Sequence, residues 1–302
     1  MISNKNTYIP KDSQVPNDWP HRENSRMVLV ENILWHVQIF IKEDKKKRPL
    51  FMLIHGTGGG VHSWNEIVKN LHSKANIILI DLPGHGFTQD NFENDYSLTK
   101  IAFLLRKLLR ILEIQSIDLV VGHSAGAAIG IELCIQSNLQ QINQLIGINP
   151  SLIPPPFSYN MLLNSWLSPI ATSNGFTSIL SIVTKNTTMV ENLLASTGSE
   201  LNPQQKKLYK RIFSSNRHLK GAIQFMASTD LSELLNKSRY FKNNSTFILG
   251  KDDPWIQINP LKKIIHKYFP SSKIIENPGG HLMHETYPEK ISKQILNIFI
   301  QS

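Results

Sequence analysis

The sequence contains almost no cysteine and no long apolar segment. Cys134 is the single cysteine in 302 residues, so a disulfide framework is excluded. Its neighbours Ile131, Leu133 and Ile135 predict that it is a small, buried apolar side chain. No run reaches the ~18 apolar residues that a membrane span needs, and the first residues lack the apolar stretch of a signal peptide. These absences predict a cytoplasmic protein.

Acidic residues are also scarce. The chain has 23 Asp and Glu against 32 Lys and Arg, which gives a formal net charge of +9. Such a charge favours acidic ligands, anionic membrane surfaces or nucleic acid. Zinc-knuckle, helix-turn-helix and aromatic-basic sheet patterns are missing, which argues against nucleic acid as a partner. A peripheral contact with a membrane surface stays open.

Metal-ligand and cofactor motifs are missing as well. His62 and His85 have no partners at a spacing typical of zinc sites. The Gly-rich residues 56–60 lack the Gly-Lys-Ser/Thr ending of a P-loop. They also lack the acidic residue that a Rossmann site places after the next strand, because Asp81 continues into a Pro-Gly turn. We therefore expect neither a metal nor a cofactor.

Alternating strand and helix patterns predict an α/β fold. Residues 50–54, 77–80 and 145–149 are apolar runs typical of strands buried on both faces. Between them, residues 101–112 repeat apolar side chains at helical spacing. Residues 27–30 and 33–41 predict two antiparallel strands before this region. The alternation is typical of a parallel sheet flanked by helices.

The strand pattern stops after residue 151 and resumes near residue 246. The intervening segment predicts short helices, and it is too long for a simple connecting loop without a function. We interpret residues 1–25 as a tail, residues 26–151 and 237–302 as one core, and residues 152–236 as a helical cap. The cap is mildly basic, with seven Lys and Arg against four Asp and Glu.

Residues 118–128 predict the nucleophile. An apolar strand leads into Gly122-His123-Ser124-Ala125-Gly126 and then into small helix-forming residues. A serine between two glycines at such a strand-to-helix turn is typical of a nucleophile elbow. Ser124 is therefore the candidate nucleophile. A serine at this place excludes hydrolysis through an alkyl-enzyme ester, which needs a carboxylate nucleophile.

Two further residues complete a predicted triad. A serine hydroxyl needs a base within hydrogen-bond reach and a third group that orients the base. His281 follows a Gly-Gly turn and is the candidate base, with His284 as its rival. Asp253 is the candidate orienting acid, with Asp252 as its rival. The order Ser124, Asp253, His281 is the order found in α/β hydrolases.

The Gly-rich loop after the first buried strand predicts an oxyanion hole. Backbone N–H groups of such a loop bind the developing oxyanion, and we expect the donors to be Thr57 and Ala125. His55 is interpreted as a structural brace for this loop. Most apolar side chains of a cap pack it onto the body. Five residues are nevertheless predicted to line a substrate pocket: Trp64, His123, Trp166, Phe213 and Met226.

The sequence resembles the α/β-hydrolase superfamily over about residues 26–300. Within it, the closer resemblance is to the magnesium chelatase accessory protein family of phototrophic bacteria. The segments that carry this closer resemblance are residues 18–26 (DWPHRENSR), 81–88 (DLPGHGFT), 122–128 (GHSAGAA), 196–199 (STGS), 208–211 (LYKR) and 280–285 (GHLMHE). The cap segments are the more specific ones. Trp255-Ile256-Gln257 departs from the Val-Pro that is frequent after the acid, which puts the pocket shape in doubt.

The resemblance implies an eight-stranded, mostly parallel sheet with the cap inserted after strand 6. It also implies a role in bacteriochlorophyll synthesis, near magnesium insertion into protoporphyrin IX. One hypothesis is a serine hydrolase acting on a bulky apolar ester, such as a tetrapyrrole ester. A general carboxylesterase and a C–C bond hydrolase are variants of it. The other hypothesis is a protein that binds a porphyrin and hands it to magnesium chelatase. The complete triad favours the first.

Overall fold

The computed structural model describes residues 15–42, 48–91, 95–136, 141–154 and 189–301. The described strands form one eight-stranded sheet in the order β1-β2-β4-β3-β5-β6-β7-β8. Their bounds are β1 (Ser25–Val30), β2 (Ile33–Phe40), β3 (Leu50–Ile54), β4 (Asn76–Ile80), β5 (Ser116–His123), β6 (Gln141–Ile148), β7 (Asn244–Gly250) and β8 (Lys273–Asn277). β1 begins at Ser25, which the sequence interpretation placed in the tail.

The sheet is mostly parallel, as predicted. β2 pairs antiparallel with β1 and β4, and every other neighbouring pair is parallel. β3 explains why a central strand is apolar throughout. Phe51 and Leu53 pack into the core on one face, whereas Met52 and Ile54 pack into the core on the other. Because alternate side chains point to opposite faces, both sets must be apolar. The predicted α/β fold class is confirmed.

Helices cover both faces of the sheet. Helices α1 and α10 supply apolar side chains to one core, and α2, α3 and α8 supply the other. Helix α2 begins where the Ser97 hydroxyl accepts a hydrogen bond from the Lys100 N–H, a typical N-cap. The bounds of the described helices are α1 (Asn65–Leu71), α2 (Leu98–Ile111), α3 (Ala125–Ile135), α4 (Met189–Ala195), α5 (Pro203–Phe213), α6 (Asn216–Ser228), α7 (Leu231–Asn236), α8 (Ile258–Tyr268), α9 (Met283–Thr286) and α10 (Pro288–Ile300).

Helices α4 to α7 lie between β6 and β7 in the chain, after strand 6 as expected. Helix α5 begins with a capping box in which Asn202 and Gln205 each bind the other's backbone N–H. Helices α4, α5 and α6 share a third apolar core with Val15, Trp19 and Phe87. The described part of the predicted tail is therefore packed against the body. Among the described helices, none is long and apolar enough to cross a membrane.

Buried Asp81, at the carboxyl end of β4, ties together several loops. Its carboxylate accepts hydrogen bonds from the backbone N–H groups of Val61 and Phe87, at 2.7 and 2.9 Å. The imidazole of His36 on β2 lies 2.7 Å away through Nδ1. Burial raises the pKa of Asp81, but His36, His55 and the Phe87 N–H outweigh it and hold the pKa below its ordinary value. Asp81 is thus a structural carboxylate, distinct from the predicted triad acid.

Replacing this carboxylate will destabilise the fold. Asp81→Asn leaves one acceptor oxygen where the N–H groups of Val61 and Phe87 and the His36 ring converge. We expect the free energy of unfolding to fall by roughly 2–4 kcal/mol, because buried donors lose their partner. Urea denaturation measures this loss. Asp18→Asn is the matched control, since Asp18 forms an exposed pair with Arg211. Equal stability of both variants would contradict the assignment.

Candidate active site

Ser124 sits on a strained turn at the carboxyl end of β5. Its backbone angles are φ 52° and ψ −120°, a conformation rare for any residue but glycine. Its N–H donates to the Ile148 carbonyl at 2.9 Å, and its own carbonyl accepts from the N–H groups of Ala127 and Ser151. A Cβ atom on Gly126 would lie 2.3 Å from the Ile54 carbonyl oxygen. Helix α3 therefore approaches β3 this closely only because residue 126 is glycine.

Asp253 and His281 form a buried pair. The Asp253 Oδ2 lies 2.8 Å from Nδ1 of His281, and both side chains are almost fully buried. The other carboxylate oxygen, Oδ1, accepts the backbone N–H groups of Trp255 and Ile256. Since an ionised carboxylate only accepts hydrogen bonds, Nδ1 must carry the proton. This tautomer leaves the Nε2 lone pair of His281 available as a base.

Asp252 and His284, the alternatives to the predicted acid and base, have other partners. Asp252 is exposed, and its Oδ2 accepts the N–H of Gly279 at 2.8 Å. His284 is fully buried and its ring packs between Trp64 and His123. Of the two acids and two bases considered, Asp253 and His281 are therefore the ones that face each other.

The elbow and the histidine loop are in direct contact. The Nε2 of His123, the residue before Ser124, donates to the His281 carbonyl at 2.9 Å. The side-chain amide of Asn149, which follows β6, donates to the same carbonyl at 3.0 Å. Because β5, β6, β7 and β8 are parallel neighbours, their carboxyl ends meet at one edge of the sheet. Ser124, Asp253 and His281 follow β5, β7 and β8, so all three lie at that edge.

The Gly-rich loop lies against Ser124. A Cβ atom on Gly56 would be 2.9 Å from the Cβ of Ser124, which places Thr57 one residue from that contact. Ala125 is the first residue of helix α3, where backbone N–H groups have no partner within the helix. The predicted brace is also visible. Nδ1 of His55 lies 2.7 Å from the Gly56 carbonyl, and Nε2 accepts the Leu82 N–H.

A cavity of about 40 Å³ opens beside these residues. Of the predicted pocket residues, His123 and Phe213 line it. Trp64 is fully buried in the core of the body and Met226 is half-buried on α6, and neither belongs to the described lining. Trp166 lies outside the described residues. The cavity walls are formed by Gly56, Thr57, Gly58, Gly59, Ser63, His123, Leu193, Leu194, Thr197, Tyr209, Phe213, Trp255, His281 and Leu282.

Several lining residues were not predicted. Thr197 and Tyr209 belong to the cap segments that the sequence analysis singled out, and Trp255 belongs to the departure after the acid. These signals marked the segments as unusual without showing which side chains turn toward Ser124. Leu193 and Leu194 carry no signal of their own, since leucines on a short helix are common everywhere.

A neutral acid lies next to the cavity. The Tyr209 hydroxyl donates to Oε1 of Glu285 at 2.6 Å, and both residues are buried. Burial raises the pKa of Glu285 to about 8, although the hydrogen bond from Tyr209 opposes the shift.

Burial lowers the pKa of His62 and of His284 to about 3. Within the described parts of the chain, no group of three or more acidic, His or Cys side chains could hold a metal ion.

Comparisons with known proteins agree with the fold. A family profile described as alpha/beta hydrolase fold matches residues 49–288. A Rhodobacter capsulatus protein named magnesium-chelatase 30 kDa subunit is 25% identical over 292 residues, covering 94% of this chain and 97% of that protein.

Solved structures show the same fold. An alpha/beta hydrolase fold protein from Burkholderia ambifaria is 19% identical, with a TM-score of 0.69 and coverage of 98% of each chain. The enol-lactonase from Burkholderia xenovorans LB400 is 13% identical, with a TM-score of 0.70 over 91% of this chain and 100% of that one.

The neutral state of Glu285 predicts a pH dependence of stability. The folded protein keeps this proton up to about pH 8, whereas an unfolded chain releases it near the ordinary value of 4.5. The free energy of unfolding contributed by this group should therefore fall as pH rises from 4.5 toward 8. Glu285→Gln resembles the protonated acid and should flatten that slope in urea titrations.

The exposed Glu200→Gln serves as the control and should leave the slope as in the wild type. A Glu285→Gln variant with the wild-type slope would refute the neutral-acid interpretation.

Proposed function

The chain belongs to the α/β-hydrolase family, and we propose that it is a serine hydrolase acting on carboxylic esters. Ser124 is the nucleophile, His281 the base and Asp253 the orienting acid. The observation that carries this proposal is the buried 2.8 Å contact between Asp253 and Nδ1 of His281, beside a serine held in a strained turn. A strained residue persists only where the surrounding structure imposes it.

The reaction proceeds in two halves. His281 Nε2 takes the proton of the Ser124 hydroxyl as Oγ bonds to the ester carbonyl carbon. The carbon–oxygen bond to the leaving group then breaks, and His281 returns the proton to the departing alcohol. In the second half, His281 takes a proton from water, the resulting oxygen attacks the acyl-serine ester, and Ser124 regains its hydrogen as the carboxylic acid leaves.

Thr57 and Ala125 stabilise the tetrahedral intermediates. Their backbone N–H groups are rigid, because the loop is braced by His55 and Ala125 is fixed as the start of α3. Donors placed in advance around a developing oxyanion lower the barrier without reorganisation. Loss of one such donor typically costs about 10²–10³ in kcat.

An apolar acyl or alkyl group suits the cavity. Leu193, Leu194, Phe213, Trp255 and Leu282 supply apolar surface, and Thr197 supplies a polar group among them. Helices α4, α5 and α6, which lie in the described part of the predicted cap, cover the catalytic edge of the sheet. Leu193, Leu194 and Phe213 from this segment support that role, since they reach the lining of the cavity.

We further propose that the enzyme works alongside magnesium chelatase in bacteriochlorophyll synthesis, with a tetrapyrrole ester as substrate. The similarity over nearly the full length of a protein named magnesium-chelatase 30 kDa subunit supports this context. The same similarity favours a second candidate function, in which the chain binds a porphyrin without turnover. Hydrolysis in a purified assay separates the two.

Kinetics with an activated ester test the proposal. Wild-type protein should hydrolyse p-nitrophenyl butyrate, and Ser124→Ala or His281→Ala should lower kcat on the order of 10⁴-fold, because the triad acts as a unit. Asp253→Asn should show a similar loss by stabilising the wrong tautomer of His281.

His266→Ala is the matched control for His281→Ala, since His266 is exposed on α8. It should retain wild-type kcat. Triad variants that keep wild-type kcat, or a folded wild type without esterase activity, would contradict the proposal and leave porphyrin binding to be measured by titration.

A further inference from the structure

Residues 196–199, between α4 and α5, lie against both loops that carry the acid and the base. These residues form one of the cap segments that carry the closer family resemblance, and they take no part in the proposed proton and acyl transfers. The Thr197 carbonyl accepts the backbone N–H of His281 at 2.8 Å. The Ser199 hydroxyl accepts the N–H of the next residue, Leu282, at 2.9 Å. Two consecutive N–H groups of the histidine loop thus donate to this segment.

The same segment also reaches the acid loop. The indole N–H of Trp255 donates to the Ser196 hydroxyl at 3.2 Å. The backbone N–H of Trp255 donates to Asp253 Oδ1, and its ring lies 5.1 Å from the His281 ring, tilted by 32°. Trp255 therefore contacts the acid, the base and residue 196 at once.

The segment and the two loops are so close together that there is no space for a side chain at Gly280 or Gly198. A Cβ atom on Gly280 would lie 2.3 Å from the Gly198 carbonyl oxygen. A Cβ atom on Gly198, whose φ is +66°, would lie 3.0 Å from the Asp252 carbonyl oxygen. Residues 196–199 are in van der Waals contact with the loop that holds Asp253 and with the loop that holds His281. A displacement of this segment must therefore displace both loops.

We propose that residues 196–199 are the positioning element of the catalytic base, so that the inserted helices set the orientation of His281. The sheet side fixes the His281 carbonyl through His123 and Asn149. The segment fixes its N–H, and Asp253 fixes its ring. Thr197 also lines the cavity, so a substrate that touches Thr197 acts on the residue that holds the base. This inference rests on the proposed serine hydrolase function.

Ser199→Ala tests the role of the segment. It removes the acceptor of the Leu282 N–H and keeps the backbone. We expect kcat for p-nitrophenyl butyrate to fall about tenfold or more with KM changed less than about twofold, because a small misplacement of a catalytic group slows chemistry more than binding. Ser199→Thr retains a hydroxyl and should recover most of the loss.

Ser245→Ala is the matched control. Ser245 is similarly buried and its hydroxyl pairs with Ser272 at 2.6 Å, near the start of β7 and away from the catalytic edge. Its kcat should equal that of the wild type. If Ser199→Ala fails to fold, Ser196→Ala removes the acceptor of the Trp255 indole N–H, together with the bond of Ser196 to the Leu193 carbonyl. It should lower kcat with KM changed less than about twofold, and a wild-type kcat in this variant would overturn the inference.

An NMR signal tests the positioning without any substrate. The proton shared by His281 Nδ1 and Asp253 should give a far-downfield ¹H resonance that Asp253→Asn abolishes. Ser199→Ala should shift and broaden this resonance, and Ser245→Ala should leave it unchanged. An unchanged resonance with wild-type kcat in Ser199→Ala would overturn the inference. A wild type inactive toward the ester would instead overturn the proposed function, while the resonance still reports on the segment.

Discussion

The left-handed backbone of Ser124 is the constraint on which the rest of the site depends. Such a conformation costs roughly 1–3 kcal/mol in a residue that carries a side chain. It is maintained by hydrogen bonds to Ile148, Ala127 and Ser151 and by the close approach of α3 to β3. Ile148 and Ser151 belong to β6 and the turn after it, Ala127 belongs to α3, and β3 is buried on both faces of the sheet. The stability of the body thereby supports the strain, and the proposed nucleophile lies at the carboxyl edge of the sheet.

His281 depends on two different parts of the chain. Its carbonyl is held by His123, the last residue of β5, and by Asn149, which follows β6, and its ring is held by Asp253, which follows β7. Its backbone N–H is held by Thr197, which belongs to the segment between β6 and β7. Parallel-sheet topology brings the first set together in any chain of this fold. The contact with Thr197 is made by the insertion, and through it the proposed positioning element of His281 also lines the cavity.

Much of this arrangement could be predicted from the sequence, because local patterns determine it. The apolar runs of β3 and β4 indicate strands buried on both faces, and the glycines around Ser124 indicate a turn that needs them. The pocket could not be predicted in the same way. Trp64 is aromatic and near the oxyanion loop, yet it packs into the core beneath His284. Tyr209 and Thr197 reach the cavity because the inserted helices pack back against the body. Hydrophobic periodicity along the sequence does not predict that packing.

The pairing of Tyr209 with Glu285 shows the same limit. A glutamate four residues after the base appears, in sequence, as one more surface charge on a short helix. The packing of α5 against α9 removes it from water, and burial raises its pKa to about 8 because a buried charge is costly.

The most direct test of the central claim is covalent labelling of the nucleophile. A fluorophosphonate reacts when serine Oγ attacks phosphorus, fluoride leaves and the base takes the hydroxyl proton. Intact-mass and peptide mass spectrometry should find one adduct, on Ser124, in the wild type. The adduct should be absent from Ser124→Ala and strongly slowed in His281→Ala. A wild-type protein that shows a cooperative thermal melt yet remains unlabelled would contradict an activated serine at this site.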